Sequence, residues 1–428
     1  MHADTIIIGA GVAGLAAAGE LTRVGQRVVL LEASDGAGGR VRSDVVDGFI
    51  LDRGFQVYLS AYPHAGAVLD HGALELCPFE PGAAVWFGGK MHVLMDPLRR
   101  PGSLLDGALS SVGTLSDKLK VGLLRAELQR GGAGGWDDFW RGLYSGATPE
   151  RTILHELQAL GFSAPFIDRF WRPFMGGITF DTGLGASGRM MRFVIRCMGM
   201  GDTCVPRRGM GQISAQLAGA LPSGVLHLRT PAQAIDGTTV HTPSGRFTAQ
   251  RVIVATGAHD AQRLLDAPAR PVRAWRSVTT LSFALPTSAL PAGPVAGPLL
   301  VLDGEGTGPV TNLAFMSSVS SAYAPPGQAL AVATVIGART ENDEQLSQLA
   351  LAQMRGWFGA SADAWRLLHV RRIARALPDQ SPPWLTTREW PCTVPGRPGV
   401  LLAGDSHDTA SIDGAICSGL RAARAVES

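Results

Sequence analysis

Residues 5–42, TIIIGAGVAGLAAAGELTRVGQRVVLLEASDGAGGRVR, constrain the fold more than any other stretch of this chain. The apolar run Ile6, Ile7, Ile8 meets Gly9-x-Gly11-x-x-Gly14, which opens an Ala-rich helix ending at Gly25. A second apolar run, Val28 to Leu31, finishes on Glu32, 18 residues after Gly14. Strand, glycine turn, helix, strand and acid in that order make a βαβ unit suited to a dinucleotide. Gly9 permits the tight turn, Gly11 lets the backbone approach a pyrophosphate, and Gly14 lets helix and sheet pack closely. Ala13, Ala16 and Ala17 keep the helix slim. Its free N–H groups and positive dipole end face the phosphates, and Glu32 stands where a carboxylate accepts ribose hydroxyls.

The continuation Gly38-Gly39-Arg40-Val41-Arg42 narrows the ligand. Here the chain resembles the flavoprotein superfamily of amine oxidases, protoporphyrinogen oxidases and carotenoid desaturases, whose Gly-Gly-Arg turn follows the ribose-binding acid. The resemblance implies FAD, with Arg40 and Gly39 at the pyrophosphate and Glu32 and Ala33 at the adenosine ribose. It also implies that Gly54, Phe55 and Gln56, after a hairpin around Asp47-Gly48, run beside the isoalloxazine; an ordinary glycine turn is the plainer alternative. Ala232, after Pro231, is expected to offer backbone groups to the adenine, and Ala255-Thr256-Gly257 ends a buried strand typical of such folds. Near the C-terminus, Val400 to Asp405 and then Ser411 to Gly419 form the second strong signal. Gly404 and Asp405 are expected at the ribityl or pyrophosphate, and the helix carrying Ile412 and Ala415 is expected to aim its N-terminus at the flavin's N1–C2=O edge. The turn Pro206 to Gly211 departs from the family pattern by Arg208, which replaces a usual glycine.

Between these ends, Pro97 to about Leu221 reads as helices broken by Gly and Pro. Leu104, Leu105, Ala108 and Leu109 have helical spacing, as do Leu119, Leu123, Leu124 and Leu128. Phe162, Phe166, Phe170 and Phe174 recur every fourth residue, and residues 187–200 are rich in Met. Two readings stand: the core of a helical domain, or the wall of a long apolar tunnel, which adaptable methionines suit. Arg172-Pro173-Phe174-x-Gly176-Gly177, with Asp181 and Ser187, resembles bacterial phytoene-desaturase-like proteins. From Trp275 to Leu285 and Pro298 to Ile336, alternating and β-branched runs predict an antiparallel sheet. Glu344 to Phe358 reads as a helix and Leu367 to Ala376 as a returning strand.

A chain of 428 residues is too long for one ordinary core. The expected architecture is α/β: a discontinuous Rossmann-like FAD-binding domain (1–85, 205–272 and 377–428), a helical substrate or lid insertion (86–204), and a substrate-domain sheet (273–376), the last two forming an α+β substrate domain. Only 17% of residues are charged, and the net charge of +2 gives no reason to expect nucleic acid. All but three of the 38 basic residues are arginines, and no lysine follows Lys120. Five scattered cysteines without a C-x-x-C argue against a disulfide frame or zinc site and for a reducing compartment. With no leader and no spanning segment recognisable, a cytoplasmic protein is expected, with room for peripheral membrane contact.

These features predict an FAD-dependent oxidoreductase with non-covalent cofactor and no metal, removing hydride from an apolar, isoprenoid-like substrate by desaturation or redox-assisted isomerisation. Many amine oxidases of the superfamily carry a substrate-domain lysine and framing tyrosines. Here the lysine is missing, and the tyrosines are only Tyr58, Tyr62, Tyr144 and Tyr323. Amine or porphyrinogen oxidation remains the alternative within the family, and a non-catalytic prenyl- or lipid-binding protein the alternative outside it. No essential acid or base is assigned; Gln56 and His407 are the polar candidates nearest the ring.

Overall fold

The computed structural model describes residues 3–96, 99–100, 110–130, 135–144, 149–265, 274–384 and 390–427. Thr5–Ile8 and Val28–Leu31 read as unbroken apolar runs because both faces of each strand are covered. They form the middle of a five-stranded sheet whose order is Leu226–His227, Val28–Leu31, Thr5–Ile8, Arg251–Val254, Val400–Leu402. Every pairing in it is parallel. Helix Val12–Arg23 lies on this sheet, and the C-terminal helix Ile412–Glu427 packs against it. Two glycines set that packing. A Cβ on Gly14 would stand 2.0 Å from the Gly9 carbonyl oxygen, and one on Gly419 would stand 2.1 Å from that of Ala13. The second contact draws residues 412–419 against the N-terminal dinucleotide turn.

The substrate sheet has seven strands, in the order Arg366–Pro378, Trp275–Pro286, Gln328–Ile336, Asn312–Phe315, Leu300–Asp303, Gly82–Phe87, Lys90–Met95. It is antiparallel except where Leu300–Asp303 runs parallel to Gly82–Phe87, with Leu300 opposite Ala83. Two points therefore differ from the sequence expectation. The sheet is mixed, and a division at residue 85 cuts through a strand, because the hairpin of residues 82–95 completes this sheet rather than the dinucleotide unit. One face buries Leu281, Phe283, Leu313 and Phe315 against Leu346, Ala350, Met354 and Trp357 of helix Asp343–Phe358. The other turns toward the helical insertion and the dinucleotide unit.

That insertion comprises Leu115–Arg130, Gly135–Tyr144, Ile153–Ala159, Ala164–Phe166, Arg172–Thr179 and Gly188–Met200. The spacing at Leu104, Leu105, Ala108 and Leu109 falls outside the described residues. A π-helical turn, Ile167–Trp171, joins Ala164–Phe166 to Arg172–Thr179. The hairpin at Asp47-Gly48 forms as expected, with φ of 50° and 82°, the paired positive values of a two-residue turn between twisted strands.

Because the Gly419 contact leaves no room for a side chain, Gly419→Val should separate the two helices and destabilise the protein by about 1–3 kcal/mol, as overpacking does. Thermal unfolding of the holoprotein should show a lowered Tm, and retained cofactor should fall with it. An unchanged Tm would count against close packing here.

Candidate active site

The strand-to-helix turn at Gly9 builds one wall of a continuous cavity of about 1030 Å³. Gly11 caps the first helix without a side-chain hydrogen bond, and a Cβ there would meet nothing within 4 Å. The first helical N–H groups are thus left to a ligand, and the dipole favours an anion. Glu32 lies beside them. Its Oε2 accepts from the Ala10 N–H at 2.8 Å and its Oε1 from the Ser34 N–H at 2.8 Å. Each oxygen keeps a further lone pair for a hydroxyl.

Arg40 crosses the cavity floor. Its Nη2 donates to Asp405 Oδ1 at 2.6 Å and its Nη1 to the Ala376 carbonyl at 2.7 Å. Burial alone would lower the Arg40 pKa, but the charge of Asp405 and the hydrogen bond to it outweigh burial and raise it. The guanidinium therefore stays charged where a pyrophosphate needs a cation. Gly54, with φ of 104°, passes so close to the substrate sheet that a Cβ there would stand 3.1 Å from Ile373 Cδ1. Gln56 Nε2 donates to the carbonyls of Arg40 (2.8 Å) and Arg53 (3.0 Å), fastening this loop to the Gly39–Arg40 turn.

Every residue expected at the cofactor lines this cavity except Gly14, which spaces helix from strand beneath it. His407 does not line it. It is 5% exposed, its Nδ1 is bonded to Ser406 Oγ, and its carbonyl accepts from Arg421. The turn 206–211 also stays outside; its Met210 and Gly211 N–H groups donate to Asp52 and Ser43 of the hairpin. Sequence reading missed the role of Ala376, since a backbone carbonyl leaves no side-chain signature.

Beyond the cradle the cavity is walled by the helical insertion. Phe166, Phe170 and Phe174 line it, with Trp171 beside them. Their rings stack nearly parallel, 5.2 Å and 6° apart for Phe166 and Phe170, 5.4 Å and 19° for Phe170 and Phe174. Phe162 continues the stack below the surface. On Gly188–Met200, Met190, Val194 and Met198 face the cavity while Met191, Phe193 and Cys197 are wholly buried. The tunnel and core readings thus each describe one side of the same helices. At the mouth stand Leu115 and Leu119, each 61% exposed, followed one turn on by Leu123 at 67%. Asp181, by contrast, closes a turn by accepting from the Gly183 and Gly185 N–H groups and pairs with Arg276.

Comparison with known proteins decides the family. The model of flavin containing amine oxidoreductases matches residues 12–427. The chain belongs to that family. It is an FAD-dependent oxidoreductase. A putrescine oxidase from Kocuria rosea is 32% identical over 124 residues, 26% of this chain and 26% of that one, so the chain spans about a quarter of that relative's length in the match. A coproporphyrinogen III oxidase from Propionibacterium freudenreichii subsp. freudenreichii is 25% identical over 391 residues, covering 77% and 72%. A phytoene desaturase from Fusarium fujikuroi is 35% identical over 91 residues, covering 20% and 16%. Among solved structures, an oxidoreductase from Methanosarcina mazei superposes with a TM-score of 0.73 at 16% identity, over 98% of this chain and 99% of that one, a likeness of fold.

FAD fits the residues present: an uncapped helix N-terminus, an open Gly11, a charged Arg40 and a carboxylate at Glu32 converge on one cavity. When bound, FAD supplies the hydride acceptor. None of the five cysteines lines the cavity. Cys417, on the C-terminal helix, lies beside His64, and burial pushes its thiol well up from the ordinary value, so it is no ready nucleophile. Among the described residues no cluster of His, Cys, Asp or Glu is placed to hold a metal. Acid precipitation should therefore release all the flavin into the supernatant; colour remaining in the pellet would contradict a non-covalent cofactor. Glu32→Ala should weaken FAD retention roughly tenfold or more, the worth of a charge-assisted hydrogen bond, as measured by equilibrium dialysis. Asp405→Ala should remove cofactor and activity together.

Proposed function

We propose that the enzyme removes a hydride from an extended apolar, isoprenoid-like substrate, in a desaturation or a redox-assisted isomerisation. The observation that carries this reading is the stacked phenylalanine wall with its methionine-rich neighbour, continuous with the FAD cradle. Such a wall offers dispersion contact along a long hydrocarbon and few groups for a charged one. The amine reading lacks support from the residues: no lysine follows Lys120, and of the described tyrosines only Tyr62 lines the cavity. The protein's part is to position an activated C–H bond and exclude water, for which no side-chain acid or base is required. A porphyrinogen is the second reading, favoured by the coverage of the coproporphyrinogen III oxidase relative. Mixing the oxidised holoenzyme anaerobically with a polyene, a porphyrinogen or a primary amine should bleach the flavin with the polyene. Bleaching by amines alone would replace this reading with amine oxidation.

We further propose that the cavity mouth meets a lipid surface. Leu115, Leu119 and Leu123 form one exposed stripe on the helix that borders the mouth, continuous with the apolar interior. Among the described residues no helix is long and apolar enough to cross a membrane, so the contact is interfacial. Replacing all three leucines by serine should cut cosedimentation with phosphatidylcholine–phosphatidylglycerol vesicles roughly tenfold, the burial of three side chains being lost, without loss of FAD. Equal sedimentation of wild type and variant would refute it, and so would dimer formation through this face in solution.

A further inference from the structure

The outer strand of the substrate sheet, Arg366–Pro378, loses its register where it passes the cofactor cradle. Val278 stands opposite Ile373 and Arg276 opposite Leu377, so the single residue Ser277 faces three, Ala374 to Ala376. A bulge of this kind bends the strand and re-aims what it carries. Here the Ala376 carbonyl reaches Arg40 Nη1 at 2.7 Å. Arg375, one residue before it and exposed, lines the same cavity, between Ile373 and Leu377, which line it too. Ile373 is the residue whose Cδ1 lies against Gly54 of the cradle.

Arginine keeps its charge throughout the physiological range, and the arginines around this one are matched. On the same strand Arg366 pairs with Asp47, Arg371 with Asp44 and Arg372 with Asp343. Along the cavity Arg53 pairs with Asp44, Arg99 with Asp202, Arg125 with Asp96 and Arg263 with Asp260. Glu80 is held by Arg100, and Lys118 donates to the Ser110 carbonyl. The Arg375 guanidinium has neither an ion pair nor a hydrogen bond among the described residues. The cradle beside it is short of positive charge. Glu32 and Asp405 set two carboxylates against the one guanidinium of Arg40. The helix end adds only about half a charge, whereas the pyrophosphate of FAD is a dianion. We infer that Arg375 supplies the missing cation and binds the FAD pyrophosphate together with Arg40. The cofactor is then gripped from the substrate sheet as well as from the dinucleotide turn.

The test is FAD release from the holoenzyme, followed by equilibrium dialysis at low and high sodium chloride, with the flavin midpoint potential as a second readout. Arg375→Gln should raise the Kd for FAD about tenfold at low salt, the worth of one charged hydrogen bond. The gap should narrow at high salt, where screening already weakens the wild-type contact. Arg375→Lys, which keeps the charge, should recover most of the affinity. The midpoint potential should stay at the wild-type value in both variants, because the pyrophosphate is remote from the ring that is reduced. Arg372→Gln, on the same strand but outside the cavity lining, should leave FAD affinity unchanged. FAD held by Arg375→Gln as tightly as by wild type overturns the inference, and if binding of all-trans-retinoate is lost instead, the cation serves an anionic substrate. A loss of FAD that is equal at both salt concentrations and not recovered by Arg375→Lys overturns it in favour of a structural role. A lowered midpoint potential overturns it by placing the charge at the isoalloxazine.

Discussion

The ion pair between Arg40 and Asp405, 2.6 Å apart, is the interaction on which the arrangement of this enzyme depends. One partner belongs to the N-terminal glycine turn and the other to the turn after the last strand of the parallel sheet. The same guanidinium also holds the Ala376 carbonyl at the end of the outer strand of the substrate sheet. Three separate parts of the chain thus meet at one planar cation, whose fork of donors can serve them together. The absence of side chains at Gly14 and Gly419 brings the surrounding helices close enough for that meeting. The pair keeps Arg40 charged while leaving it 39% exposed toward the cavity, available to an anionic ligand.

The helical insertion solves a different problem. Its helices must bury one face and still present an apolar wall to a ligand. Gly188–Met200 divides its residues between the two, and Phe162 to Phe174 keeps fourth-residue spacing through a π-helical turn so that the rings stack. A π turn adds a residue to the helical circuit and commonly sits at functional sites. Here it carries Phe170 and Trp171 onto the cavity side.

The dinucleotide cradle was legible in the sequence because its constraints are local: glycines at fixed offsets, a helix start, an acid at the end of the next strand. The C-terminal turn was legible for the same reason. The membership of residues 82–95 was not. An apolar strand announces itself but not its neighbour, and the parallel pairing of Ala83 with Leu300 spans more than half the distance to the end of the chain. Nearness in sequence also misled at His407, two residues from Asp405, because the short turn between them carries it into the protein beside Ser406. Gln56 lines the cavity as its position suggested, but its amide N–H groups serve backbone carbonyls, one in its own loop and one in the Gly39–Arg40 turn.

The separation of Arg40 and Asp405 by 365 residues has a consequence for how the protein is made. At typical rates of synthesis, roughly 20–70 s pass between the emergence of one partner and the other. During that interval the first βαβ unit has no Val400–Leu402 strand at the sheet edge and no C-terminal helix against its own. The cradle therefore cannot close on a flavin until the strand Val400–Leu402 and the helix Ile412–Glu427 have left the ribosome. Cofactor capture thus waits on residues 400–427, and a chain cut short of them keeps an intact N-terminal fingerprint but lacks the carboxylate that pairs with Arg40.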